Sequence, residues 1–218
     1  MLRFKHIIWD FDGTLFDTYP HIAFVIKEII NENYNIDLNV QQIQSWCKIS
    51  LNYCFEKVAT VFTLEKTKLQ ELFNVNYVRN IESQQPPFPG AIEMVQFIYK
   101  NGGKNYIITH RGPLSLNRLL EYNNIQDYFK KIITQKDGFP NKPDPTSFLY
   151  LTNYYEIPKE EVIAIGDRDI DIQTASKIGI KACYFNPEGK NNGLADYNIK
   201  NLLELRGIIF NDLKEKSL

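Results

Sequence analysis

The sequence predicts an α/β protein whose core is a doubly wound parallel sheet (Rossmann-like) carrying one inserted α-helical block. Three observations carry that expectation. Ile7-Ile8-Trp9 runs apolar into Asp10-Phe11-Asp12-Gly13, the pattern of a strand covered on both faces that stops at two carboxylates and a glycine turn. From Ala91 onward helical and strand-like segments alternate, which argues parallel strands joined by right-handed crossovers. Between them, over residues 17–87, only helical periodicity is found.

In chain order, Ile22, Val25, Ile26, Ile29 and Ile30 recur at helical spacing, and Asn33 to Asn35 end the run. A second helix is expected from Val40 to Cys47. A third carries Leu51, Cys54, Phe55, Val58 and Phe62, and a fourth carries Leu69, Leu72, Phe73 and Tyr77. Helices with one apolar face each pack as a bundle. Gln84-Gln85-Pro86-Pro87-Phe88-Pro89-Gly90 then marks a boundary. The expected division is residues 1–16 and 88–218 for the core and 17–87 for the helical insert.

Beyond that boundary, Ile92, Val95 and Tyr99 give a helix closed by Asn101-Gly102-Gly103. A strand over Asn105–Thr109, a helix over Leu114–Tyr122 and a short strand over Lys131–Thr134 follow. Asp144 is the expected N-cap of the next helix, with Pro145 in its first turn. Val162–Ile165 reads as a strand, Ile170–Ile178 as a helix and Lys181–Phe185 as the final core strand. Leu202–Leu213 closes the chain as an amphipathic helix.

Composition narrows the class. The 218 residues have 44% hydrophobic and 23% charged content and a formal net charge of −1, which suits a globular chain and argues against a polyanion binder. The start has no signal-peptide layout and no apolar run approaches the roughly 20 residues that span a bilayer. The expected setting is cytoplasmic, without nucleic-acid or membrane partners, as a monomer or homodimer. Cys47, Cys54 and Cys183 have no metal-type or redox-type spacing and read as reduced, buried thiols.

The chemistry-bearing residues stand at strand ends, where ligands bind in open α/β sheets. Asp10-Phe11-Asp12-Gly13-Thr14 closes the first strand, Thr109-His110-Arg111 the second, and Gly166-Asp167-Arg168-Asp169-Ile170-Asp171 a later one. Asn141-Lys142-Pro143-Asp144-Pro145 precedes a helix. Any one of these could be a turn or a cap. Together and in this order they resemble the four motifs of the haloacid dehalogenase-like (HAD) hydrolase superfamily, in the branch with a helical cap after the first motif. Asp17-Thr18-Tyr19-Pro20-His21-Ile22 and Phe88-Pro89-Gly90 are similar to its phosphoglycolate phosphatase-like group.

That resemblance implies a Mg²⁺-dependent phosphatase acting on a small phosphorylated metabolite. Asp10 would be the nucleophile that forms an aspartyl-phosphate, Asp12 the general acid and base, and Lys142 the catalytic ammonium. Mg²⁺ would be held by the carboxylates of Asp10 and Asp167 and the backbone carbonyl of Asp12, with Asp171 holding a metal-bound water or Lys142. An oxygen-only ligand set suits such a hard cation. Thr109, with the turn residues Gly13 and Thr14, would bind substrate. His110 and Arg111 would either assist or be solvated. Asp12 argues against carbon–halogen chemistry, because the family's dehalogenases lack it. The cap would close about hinges at Phe16 to Tyr19 and Pro86 to Pro89.

Two other readings stay open: a phosphosugar mutase of the β-phosphoglucomutase type, and a non-catalytic binding or regulatory protein on the same fold. The mutase carries a His one position after that of His21 and a Glu-Asp where Gly166-Asp167 stands. Phosphoglycolate, nucleoside monophosphates and sugar phosphates all remain candidate substrates.

Overall fold

The structure, a computed structural model, describes residues 2–79 and 81–210. It divides into two compact units, residues 1–16 with 87–218 and residues 17–86. Pro87 thus belongs with the first unit.

In the first unit, six strands among the described residues form one parallel sheet: β1 (His6–Trp9), β2 (Lys104–Ile108), β3 (Phe129–Ile133), β4 (Val162–Gly166), β5 (Lys181–Phe185) and β6 (Tyr197–Ile199), in the order β3-β2-β1-β4-β5-β6. The sheet is thus the α/β core the sequence predicts. Its neighbours in sequence reverse direction at β1, so β1 and β4 flank the topological switch point, where α/β sheets place ligands. Trp9 pairs with Ile107 on one side and Ile165 on the other, and the Asp10 amide continues the ladder by donating to the Ile165 carbonyl at 2.8 Å.

Alternate residues of the central strands point to opposite faces, and both faces are covered. Ile8, Tyr106, Ile108, Val162, Ala164 and Ala182 pack with Phe148, Leu151, Ile172, Ala175 and Ile178. Each fully buried aliphatic side chain there contributes about 1.5–3 kcal/mol relative to exposure. On the opposite face of the sheet Asn105 is a buried polar exception. Fully buried, it accepts from Trp9 Nε1 at 3.0 Å and donates to the carbonyls of Val95 and Tyr128 at 2.9 and 3.3 Å.

The second unit holds α1 (Tyr19–Tyr34), α2 (Val40–Ile49), α3 (Leu51–Phe62), α4 (Lys66–Tyr77) and the short α5 (Ile81–Gln84). Its core joins Ile22, Ile26, Ile29 and Ile30 to Ile43, Cys54, Val58, Leu69 and Phe73, the residues whose spacing marks the helices in the sequence. Asn39 and Ser50 cap α2 and α3 through their side chains. The neighbouring Cys54 thiol and burial push the Cys47 thiol up, while Cys54 Sγ donates to the Ile43 carbonyl at 3.9 Å. Spacing alone left these two thiols unrelated; helix packing brings them together.

The core unit's helices are α6 (Ala91–Lys100), α7 (Pro113–Tyr122), α8 (Thr146–Tyr154), α9 (Asp169–Ile178) and α10 (Leu205–Ile209). Three expectations need correction. Lys181–Phe185 is not the last strand, because the three-residue edge strand β6 follows it. Asp144 is not the N-cap of α8. That position is Pro145, and Asp144 Oδ1 instead accepts from the Thr146 amide at 2.9 Å and its hydroxyl at 2.5 Å. The closing helix is a 3₁₀ turn over Leu202–Glu204 followed by α10, and residues 211–213 of the expected helix lie outside the described residues. No helix among the described residues is long and apolar enough to cross a membrane.

Candidate active site

The site is built where β1, β2 and β4 end. Beyond β1 the chain turns sharply: Gly13 sits at φ 83°, and the Leu15 and Phe16 amides both donate to the Phe11 carbonyl at 3.1 Å. A residue with a Cβ is strained there. The turn leaves Asp10 buried at the strand end while Asp12 stays partly exposed.

Lys142 reaches this point from the loop before α8. Its Nζ lies 2.5 Å from Asp10 Oδ1, donates to the Ile108 carbonyl at 3.2 Å, and also contacts Asp171 Oδ1. Burial alone would depress this ammonium, but the charges of Asp10 and Asp171 outweigh it and hold Lys142 above the ordinary lysine value. Burial pushes Asp10 up to about 6, with Lys142 opposing. Asp167, which accepts from Thr14 Oγ1 at 3.1 Å, is pushed up to about 8 by burial of its carboxyl and by the charge of Asp10.

Oxygens of Asp10, Asp167 and Asp171 lie within 4.8 Å of one another. Asp171 has both oxygens engaged, one by Lys142 and the other by the Arg168 amide at 3.2 Å. Asp10 Oδ2, by contrast, is buried with no hydrogen-bond partner among the described residues. Three crowded carboxylates against the Lys142 ammonium, with an orphaned buried oxygen, fit a hard divalent cation. Gly166 permits the crowding: a Cβ on it would come within 2.3 Å of the Asp171 Cβ.

The remaining sequence-marked residues divide. Thr109 is buried and its Oγ1 accepts from the Arg111 amide at 3.1 Å, leaving its hydroxyl hydrogen for another acceptor. His110 accepts the Lys142 amide through Nε2 at 2.9 Å. Burial and the Lys142 charge lower His110 to about 4, so it stands as a neutral ring holding the Lys142 loop. Arg111 is buried rather than solvated, with Nη1 2.6 Å from Asp12 Oδ1. The Asp12 carboxylate accordingly stands outside the cluster of Asp10, Asp167 and Asp171. Thr14 is engaged by Asp167. Asp169 accepts from the Asn192 side chain at 2.7 Å on the surface.

One contributor went unmarked in the sequence, and a second, Arg168, stands in the motif from Gly166 to Asp171 without an assigned role. Ser115 accepts from Arg111 Nε at 3.0 Å, and its only signal is the four-residue offset from Arg111 at a helix start. The Arg168 amide, whose role depends on α9 beginning at Asp169, has no side-chain signature.

Fold and site together define a hydrolase of one family: residues 7–185 match the haloacid dehalogenase-like hydrolase model, and the chain belongs to that family. Among curated relatives, a phosphoglycolate phosphatase of Pseudomonas fluorescens is 25% identical over 194 residues, covering 86% of this chain and 71% of the relative. A hydrolase from Streptococcus pneumoniae of known structure is 27% identical with a TM-score of 0.66, covering 94% of this chain and 98% of that one. A HAD hydrolase of Bacillus subtilis, solved bound to magnesium, shares the fold at a TM-score of 0.75 and 20% identity, over 95% of this chain and 99% of that one.

Proposed function

We propose that this chain is a phosphatase that hydrolyses a small phosphomonoester through a phosphoryl-enzyme intermediate on Asp10. The observation that carries the reading is the divided Asp10 carboxylate, with Oδ1 on Lys142 and Oδ2 buried without a partner. A carboxylate kept in that state at a sheet switch point is a nucleophile held ready beside its counter-charge.

In the first half-reaction an Asp10 oxygen bonds to phosphorus. The ester P–O bond breaks, its electron pair stays on the ester oxygen, and Asp12 gives that oxygen a proton. In the second half-reaction Asp12 takes a proton from water, whose oxygen bonds to phosphorus. The bond from Asp10 to phosphorus breaks, releasing inorganic phosphate and restoring both carboxyl groups. Lys142 offsets repulsion between Asp10 and the anionic ester, and the Thr109 hydroxyl donates to a phosphoryl oxygen. Asp171 acts by holding Lys142.

Asp10, Asp167 and the Asp12 backbone carbonyl would hold a divalent cation of the Mg²⁺ type. When bound it neutralises the phosphoryl oxygens and the excess carboxylate charge. The substrate class is a small phosphorylated metabolite: phosphoglycolate, a nucleoside monophosphate or a sugar phosphate. The name of the Pseudomonas fluorescens relative supports the first.

The test is phosphate release from a panel of these esters and an aryl phosphate, with Mg²⁺ or with chelator, by the wild type and Asp10→Asn. Release that needs the metal and vanishes in Asp10→Asn is expected, and the ranking of esters gives the substrate class. No release from any ester by folded wild type with Mg²⁺ would refute the reading.

A further inference from the structure

Arg111 is a buried cation that the proposed chemistry leaves without a role. Its backbone is fixed by the amide bond to Thr109 Oγ1 and by a carbonyl that accepts from the Gln135 amide at 3.2 Å. Its guanidinium lies 5.3 Å from the centre of the Phe11 ring, and Nε donates to Ser115 Oγ at 3.0 Å. Phe11 is itself fully buried and stacked on Phe16 at 4.6 Å. From this mount Nη1 meets Asp12 Oδ1 at 2.6 Å, with side-chain exposures of 4% for Arg111 and 22% for Asp12. A guanidinium clamped by a ring and a hydroxyl has little rotamer freedom left to lose, so it fixes its partner's orientation as well as its charge.

The two oxygens of Asp12 therefore differ. Oδ1 is held by Arg111, while Oδ2 accepts no hydrogen bond among the described residues. We propose that Arg111 is the positioning residue of proton transfer: by holding Asp12 Oδ1 against a mount of Phe11 and Ser115, it leaves Oδ2 as the oxygen that carries the proton to and from the ester oxygen. This rests on the phosphatase reading and deepens it. The O–H bond at Oδ2 breaks as the ester oxygen receives the proton and the P–O bond cleaves, and Oδ2 regains a proton from water in the second half-reaction. The Phe11 contact and the Ser115 anchor are features of this chain's own residues, and they hold the Arg111 guanidinium against Asp12.

The test exploits leaving-group demand. An alkyl phosphate needs its leaving oxygen protonated and a nitrophenyl phosphate does not, and kcat/KM reports only steps through loss of that group. Proton donation is worth roughly 10²–10⁴-fold. Arg111→Gln should lower kcat/KM for the alkyl ester by about 10²-fold while changing that for the aryl ester by less than about 3-fold. Arg111→Lys should recover only part of the loss, since a lysine lacks the planar fork. In an Asp12→Asn background Arg111→Gln should cost little more, as expected for two residues acting as one unit.

Ser115→Ala removes one anchor without touching the ion pair and keeps the test available should Arg111→Gln fold poorly. It should shift the alkyl-to-aryl ratio in the same direction, by about 2–5-fold. Equal losses on both esters, or no shift of the ratio in any of these variants, would overturn the assignment while leaving the phosphatase intact. Absence of turnover by the wild type on either ester would instead overturn the phosphatase reading, and this assignment with it.

Discussion

Replacing Lys142 by Met should destabilise the α/β unit more than any single surface change, because it deletes a charge while nearly keeping the volume. The Lys142, Asp10 and Asp171 side chains are 2%, 1% and 3% exposed. Met fills the space of the lysine stem, so little cavity term enters. The two carboxylates are left facing each other without their counter-ion. Removing one partner of a buried pair costs about 3–5 kcal/mol, because the remaining charge has neither water nor cation. For a chain of this size each kcal/mol is worth roughly 2–4 °C in Tm, so a fall of about 10 °C is expected. The assay is urea unfolding in chelator, followed by Trp9 fluorescence in a Trp46→Phe background so that the signal comes from the unit containing β1. Lys190→Met, which loses an exposed pair with Glu188, is the control and should leave the urea midpoint essentially unchanged. If Lys142→Met fell within about 1 kcal/mol of its parent, the ammonium would not be neutralising buried carboxylates, and the electrostatic account of the site would fail.

Asn105→Ala should cost roughly 2–4 kcal/mol, since it strands Trp9 Nε1 in the core, at about 1–3 kcal/mol, and takes a donor from the carbonyls of Val95 and Tyr128. A urea midpoint unchanged by that substitution would contradict the network. Gly166→Ala should displace Asp171 and with it Lys142, cutting phosphate release at least about tenfold with an overpacking penalty of about 1–3 kcal/mol; full activity in that variant would rule out the tight approach. His6, stacked on Tyr106 and bonded to its hydroxyl, is lowered mainly by burial. An unfolded chain binds this proton more readily than the folded one. The contribution is therefore fully present above the unfolded value of about 6.5 and lost as pH falls through the folded value. Urea midpoints at several pH values should show the wild type losing more stability on acidification than His6→Gln; parallel profiles would refute this.

Sequence and structure agree most closely where local pattern and tertiary environment demand the same thing. The run into Asp10 is apolar because β1 is covered on both faces, and the helical spacing of Ile22 to Ile30 survives because one face of α1 packs on the helical unit's core. Where one demand is weak, the pattern is silent. Tyr197-Asn198-Ile199 is a three-residue edge strand with a single fully apolar member, too short to show a period. Asn105 reads as a defect in a strand until Trp9, 96 residues away, supplies the donor it accepts. The site followed the same rule. The carboxylates and Lys142 stand in motifs at strand ends and loops. The pairing of Arg111 with Asp12 spans 99 residues and that of His110 with Lys142 spans 32; neither leaves a local trace.

The central claim is that Asp10 takes up the phosphoryl group, and the most direct measurement is to quench the enzyme in acid during turnover of a phosphomonoester with Mg²⁺ and map the covalently bound phosphate by peptide mass spectrometry. The account predicts a substrate-dependent phosphoryl group on Asp10, absent from Asp10→Asn. Phosphate on another residue, or turnover that continues undiminished in Asp10→Asn, would contradict it.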